Sequence, residues 1–257
     1  MTPTDKILWS DMTPQELDSA IARTPLAYWP IGSLEWHGPH LPLATDSFRA
    51  EAICRRAAAM TGGVVLPPTY FTAPGFAAYR GTISFSPALV KAIALETHRE
   101  LAKAGFRALV QLLGHGGQAQ QESFTEPAAE STKKLGLRIL TTGGGAKLPP
   151  EKRLGAGHAG PGETAQCAAA ARGKVQLDLF DPAATRLPRY EGLDPDVYCR
   201  GLSEPLHERV RMHMARTEWP WAEDLVEQVL RPGAAEELLR SAAEEVARQA
   251  RELLQGA

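Results

Sequence analysis

Three short segments carry residue types that do chemistry together. In the first, Glu35-Trp36-His37 is followed by Asp46. Residues two apart in extended backbone project to the same side, so Glu35 and His37 can face one point in space. Pro39 and Pro42 stiffen the loop over 38–45 that leads to Asp46. A carboxylate, an imidazole and a second carboxylate form a hard-to-borderline ligand set suited to Zn²⁺, Mn²⁺ or Fe²⁺. In the second segment, Gly114-His115-Gly116-Gly117, small residues flank a histidine and let the backbone pass close to an ion or a substrate. The third runs His158-Ala159-Gly160-Pro161-Gly162-Glu163-Thr164. Two readings of it stand side by side. Glu163 is either an ordinary carboxylate at a helix amino end, or a ligand or outer partner of an ion, with His158 moving protons.

These residues need elements to hold them. Thr13 and Glu16 form a capping-box signature that opens a short helix ending near Arg23. Residues 26–33 read as a buried strand, and 46–60 has helical apolar spacing that stops at Gly62-Gly63. A short strand over 64–66 ends at Pro67-Pro68. Ser86-Pro87 starts a helix that runs to Ala104 and closes at Gly105. Residues 106–113 are a further apolar run, 118–135 a helix closed by Gly136, 137–141 a strand, and 163–171 the start of another helix. The alternation with short connections predicts an α/β fold, a parallel sheet with helices on both faces. The Glu35–His37 and His115 segments both follow predicted strands, at the carboxyl ends where open α/β sheets bind ligands.

Residues 141–157 read as a long loop near the site. The stretch over 181–220 reads as an irregular insertion, with Trp219-Pro220-Trp221 at its end, and 234–255 as a charged amphipathic surface helix. The expected organisation is one domain over 1–257. The large aromatics in that irregular stretch point to a homo-oligomer. His98, His207 and His213 read as structural, and His40 points away from the first cluster in register.

Composition removes several function classes. Apolar residues make up 44% and charged residues 23%, and the net charge is -2, without the basic excess of a nucleic-acid-binding surface. No run of about 18 apolar residues spans a bilayer. The three scattered cysteines, Cys54, Cys167 and Cys199, suit a reducing compartment, and the expected location is cytoplasm. The sequence shows no GxSxG elbow or GxxxxGK[ST] loop.

The run from Pro30 through Glu35-Trp36-His37-Gly38-Pro39-His40 to Thr45-Asp46 resembles the signature of the creatininase (creatinine amidohydrolase) family. Gly114-His115-Gly116-Gly117 resembles its second motif, and His158-Ala159-Gly160 with Glu163-Thr164 its third, in the family's order. The resemblance implies a three-layer α/β/α sandwich with a mostly parallel sheet. It also implies one or two divalent ions, Zn²⁺ or else Mn²⁺ or Fe²⁺, and hydrolysis of a non-peptide C–N bond in a small cyclic or linear amide. Oligomers, often hexamers, go with it. On this basis Glu35, His37, Asp46 and His115 are the metal ligands, with Asp46 able to bridge two ions. His158 is the proton-handling residue, and Glu163 joins it as a catalytic candidate. The chain departs from the pattern at Gly117, where a second carboxylate is usual, so a full two-ion site depends on Glu163. It departs again over 73–76, where usual polar groups are missing and the pocket is expected to be more apolar. The rival readings are a metal-dependent isomerase or lyase on a small sugar or ketoacid, and a non-catalytic family member that kept its metal.

Overall fold

The computed structural model describes residues 6–73, 81–180 and 224–256. Four strands form one parallel sheet: β1 (Leu26–Ile31), β2 (Val64–Val65), β3 (Ala108–Leu113) and β4 (Arg138–Thr142), in the order β2-β1-β3-β4. β1 and β3 pair along their full length, from Leu26 opposite Ala108 to Ile31 opposite Leu113. Every residue of both is buried, because helices cover both faces.

Alternation along the strands sorts the two cores. Leu26 and Tyr28 of β1, with Ala108, Val110 and Leu112 of β3, pack under α2 (Thr45–Thr61). The long α7 (Ala234–Gln255), which follows the short α6 (Leu225–Leu230), packs there too. Ala27, Trp29, Ile31, Leu109 and Leu113 face the other way. They meet α1 (Pro14–Arg23), α3 (Pro87–Lys103) and α4 (Gln118–Leu135). The result is the expected three-layer α/β/α sandwich. α7 lies in the outer layer as the sequence predicts, with Leu239, Ala242, Ala243, Val246, Ala247 and Ala250 turned into the core.

Local signals place the helix ends. The Thr13–Glu16 capping box forms, and the Ser86 hydroxyl accepts from the Leu89 amide ahead of Pro87. α5 (Pro161–Ala170) begins earlier than the residue pattern indicated, with Pro161 in its first turn, so Glu163 lies inside that turn. β1 ends at Ile31 rather than Ser33. His98 is structural, as expected: its Nε2 sits 2.6 Å from Gln111 Oε1 and its Nδ1 2.9 Å from Ser131 Oγ. Gln111 then donates to Thr141 Oγ1, so one buried polar network ties α3, α4, β3 and β4 together. The insertion over 181–220, Cys199, His207, His213 and the Trp219–Trp221 segment lie outside the described residues, as do Pro74 to Phe76.

Candidate metal centre

The strand order fixes where the site can form. From β1 the chain runs to β2 on one side, and β3 then takes the other side of β1. The connections therefore part between the carboxyl ends of β1 and β3, the place where open α/β sheets form a ligand crevice. Glu35 and His37 follow β1, His115 follows β3, and Asp46 sits in the first turn of α2, which begins above that gap.

Two glycines let α2 settle there. A Cβ on Gly32 would stand 2.1 Å from Ser47 Oγ and 2.3 Å from Ser47 Cα. One on Gly114 would stand 2.3 Å from the Asp46 carbonyl oxygen. Gly114 makes room for Asp46's own backbone, Gly117 makes room for the His115 ring, and nothing lies within 4 Å of a Cβ on Gly116.

The six predicted side chains come together. His115 Nδ1 lies 3.0 Å from Glu35 Oε2 and 3.5 Å from Asp46 Oδ2. His37 Nε2 lies 3.2 Å from Asp46 Oδ1, 3.7 Å from Glu163 Oε2 and 3.9 Å from Glu35 Oε2. His37 Nδ1–H donates to the Glu35 carbonyl at 3.0 Å, which turns Nε2 toward the carboxylates. Ser33 donates to Asp46 Oδ2 at 2.7 Å and holds that carboxylate in place. Two triads have ligand atoms within 4.8 Å of one another and share Asp46: Glu35–Asp46–His115 and His37–Asp46–Glu163. A third group, Glu35–His37–His158, meets the same criterion.

The buried charges are strongly coupled to one another. Glu35, His37 and Asp46 are 2%, 1% and 1% exposed, so water screens none of them. Burial opposes charge on each, and the neighbouring charges override it. His115 and the other histidines hold Glu35 down to about 2, and Asp46, with Glu163 and Glu35, pushes His37 up to about 9. Asp46 is held well below its ordinary value, and His115 is raised well above its own by Glu35 and Asp46.

His158 packs against this cluster, its ring 4.2 Å from that of His37. Its Nε2–H donates to the Trp36 carbonyl at 2.6 Å, so in the neutral ring the Nδ1 lone pair remains, 3.9 Å from Glu35 Oε2. Burial and the His37 charge push its pKa down. Ala159 has φ 54, the only non-glycine with positive φ among the described residues, and its amide donates to Glu163 Oε2 at 2.8 Å. Backbone strain is held where His158 and Glu163 must both face the cluster. His40 turns away as expected, its Nε2 3.0 Å from Thr164 Oγ1.

Reading the sequence missed Arg49. Its Nη1 lies 3.1 Å from Glu163 Oε1 and 3.5 Å from Asp46 Oδ1, and its Nε donates to Gln166 Oε1 at 2.7 Å. The available signal was its place one turn after Asp46 on the same helix face. Beside Arg49 and Glu163 opens a cavity of about 360 Å³, lined also by Gln166, Leu148, Leu154 and Leu238.

Comparison with known proteins gives this geometry a family. The family model for creatininase, described as creatinine amidohydrolase, matches residues 10–248. The chain belongs to the creatininase family. Among curated relatives, the mycofactocin precursor peptide peptidase of Mycolicibacterium smegmatis is 34% identical over 115 residues, 42% of this chain and 45% of that protein. The creatinine amidohydrolase of Pseudomonas putida is 33% identical over 92 residues, 34% of this chain and 35% of that one. The chain therefore matches less than half the length of either. Among solved structures, one described as creatininase Mn superposes with a TM-score of 0.71 at 22% identity, covering 96% of this chain and 98% of its own. That likeness establishes the creatininase fold.

Proposed function

We propose that this creatininase-family chain is a metal-dependent amidohydrolase, cleaving a C–N bond in a small cyclic or linear amide other than a peptide. The observation that carries the reading is the pair of ligand triads joined through Asp46. The donors fit a divalent ion: ligands about 2.0–2.2 Å from one centre stand up to about 4.4 Å apart, close to the spacing of these atoms. Neutral imidazole with carboxylate suits Zn²⁺ first, then Mn²⁺ or Fe²⁺. Glu35, Asp46 and His115 would hold such an ion, with His37 completing the set. When bound, it supplies a Lewis acid that lowers the pKa of water from 15.7 toward roughly 7 and polarises an amide carbonyl.

The chain's own residues supply orientation and proton traffic. Ser33 and the Glu35 carbonyl aim Asp46 and His37 before substrate arrives. His158, with its tautomer set by Trp36, takes a proton at Nδ1 and returns it to the leaving nitrogen. The cavity beside Glu163 has the size of a small-ligand site. A second reading, cleavage within a short peptide, is favoured by the relative that is itself named a peptide peptidase. A panel of lactams, linear amides and short peptides, read for amine release, tests both. Conversion of a sugar or ketoacid with no amine released would replace them with the isomerase or lyase reading.

We further propose one domain, in a cytoplasmic homo-oligomer. Cys54 and Cys167 are buried free thiols, and among the described residues no helix is long and apolar enough to cross a membrane. Tyr70, Phe71 and Ile83 are exposed on two segments that the Phe85 amide joins to the Thr72 carbonyl, an apolar patch suited to a subunit contact.

A further inference from the structure

We propose that this chain holds one divalent ion rather than two, and that Arg49 takes the electrostatic place of the second. The proposal rests on the metal-dependent reading above and deepens it. The two triads sharing Asp46 are not equivalent. In His37–Asp46–Glu163 the Arg49 guanidinium lies against both carboxylates, 3.1 Å from Glu163 Oε1 and 3.5 Å from Asp46 Oδ1.

Arg49 is built into this position. Its side chain is 12% exposed. Nε donates to Gln166 Oε1 at 2.7 Å, and Nη1 also reaches the Gly114 carbonyl at 3.4 Å. A planar guanidinium held through Nε and Nη1 cannot swing aside without leaving the buried Gln166 oxygen unpaired. Both Glu163 oxygens are engaged, Oε1 by Arg49 and Oε2 by the Ala159 amide at 2.8 Å.

Charge points the same way. A dication on Glu35–Asp46–His115 balances the two carboxylates of that triad. Glu163 is the carboxylate left over, and Arg49 balances it. A second dication at His37–Asp46–Glu163 would place two further positive charges beside a fixed guanidinium, with the buried His37 and Asp46 little screened by water. Arginine keeps its charge at every accessible pH, so the block is permanent. His37 is then free to act as a neutral ligand or hydrogen-bonding partner of the single ion.

Metal content after zinc saturation and buffer exchange, measured on the full chain by plasma mass spectrometry, tests this. The wild type is expected to retain one ion per chain, and so is Arg49→Lys, which keeps the charge. The neutral variants Arg49→Gln and Arg49→Leu are expected to retain two. Zinc titration of either neutral variant should resolve a second phase at least tenfold tighter than any in the wild type. Two ions in the wild type overturn the proposal whatever the variants do. One ion in a folded Arg49→Gln or Arg49→Leu also overturns it. No ion in the wild type defeats the metal-dependent reading itself, a separate failure.

Discussion

Asp46 is the residue on which the site turns, and four neighbours compete for its two oxygens. Ser33 and His115 approach Oδ2, while His37 and Arg49 approach Oδ1. The ligand candidates were legible because a Glu-x-His pair after a strand, and a histidine among glycines after another, have few structural explanations in common. Arg49 and Ser33 were not, since a charged residue early in a helix and a serine after a strand are ordinary surface sequence. Their role exists only once α2 is docked. For His158 the geometry separates two roles. His158→Asn should retain the metal and lower kcat by roughly 10²–10⁴-fold, with KM less changed, since proton delivery counts in the transition state. Loss of the ion in that variant would make His158 a ligand through the Glu35–His37–His158 group, and an unchanged kcat would make it an ordinary loop histidine.

At the scale of elements, the site depends on how closely the first turn of α2 approaches the ends of β1 and β3. Gly114→Ala would drive a Cβ into the Asp46 carbonyl, and Gly32→Ala one into Ser47. Either change should cost roughly 1–3 kcal/mol in denaturant unfolding. Each should also weaken metal binding, because the shift falls on Asp46; unaltered stability and affinity would mean that α2 is not anchored there. The sequence showed the strands, the helices and their order, since buried runs and glycine or proline stops are local signals. It did not show which element the glycines accommodate, because that approach is long-range.

The His40–Thr164 contact joins the loop after β1 to α5 and carries a pH signature. Burial, then the positive charge at His37, pushes the pKa of His40 from 6.5 down to about 4. The unfolded chain therefore takes up this proton first as pH falls. His40 contributes fully above pH 6.5, and its contribution is lost as pH drops from 6.5 toward 4, by at most about 1.4 kcal/mol per pH unit. Urea unfolding of His40→Gln should show a flatter pH dependence in that window than the wild type. Identical slopes would place the acid sensitivity elsewhere.

For the whole molecule, the three-layer sandwich was readable from element order alone, whereas assembly was not, since it depends on surfaces that no local pattern describes. The exposed Tyr70, Phe71 and Ile83 lead to an expected sedimentation mass that is a multiple of 27.8 kDa at micromolar concentration. A 27.8 kDa species would end the oligomer proposal. The central claim is that the cluster at the carboxyl ends of β1 and β3 is a metal site organised by Asp46. Metal analysis of the purified wild type beside Asp46→Ala tests it most directly. Removing the shared carboxylate takes both charge and a donor from each triad. The account predicts at least one tightly held divalent ion per wild-type chain, and at least one fewer per chain in Asp46→Ala with its fold intact. A wild type that binds no divalent ion, or an Asp46→Ala protein with full occupancy, would contradict it.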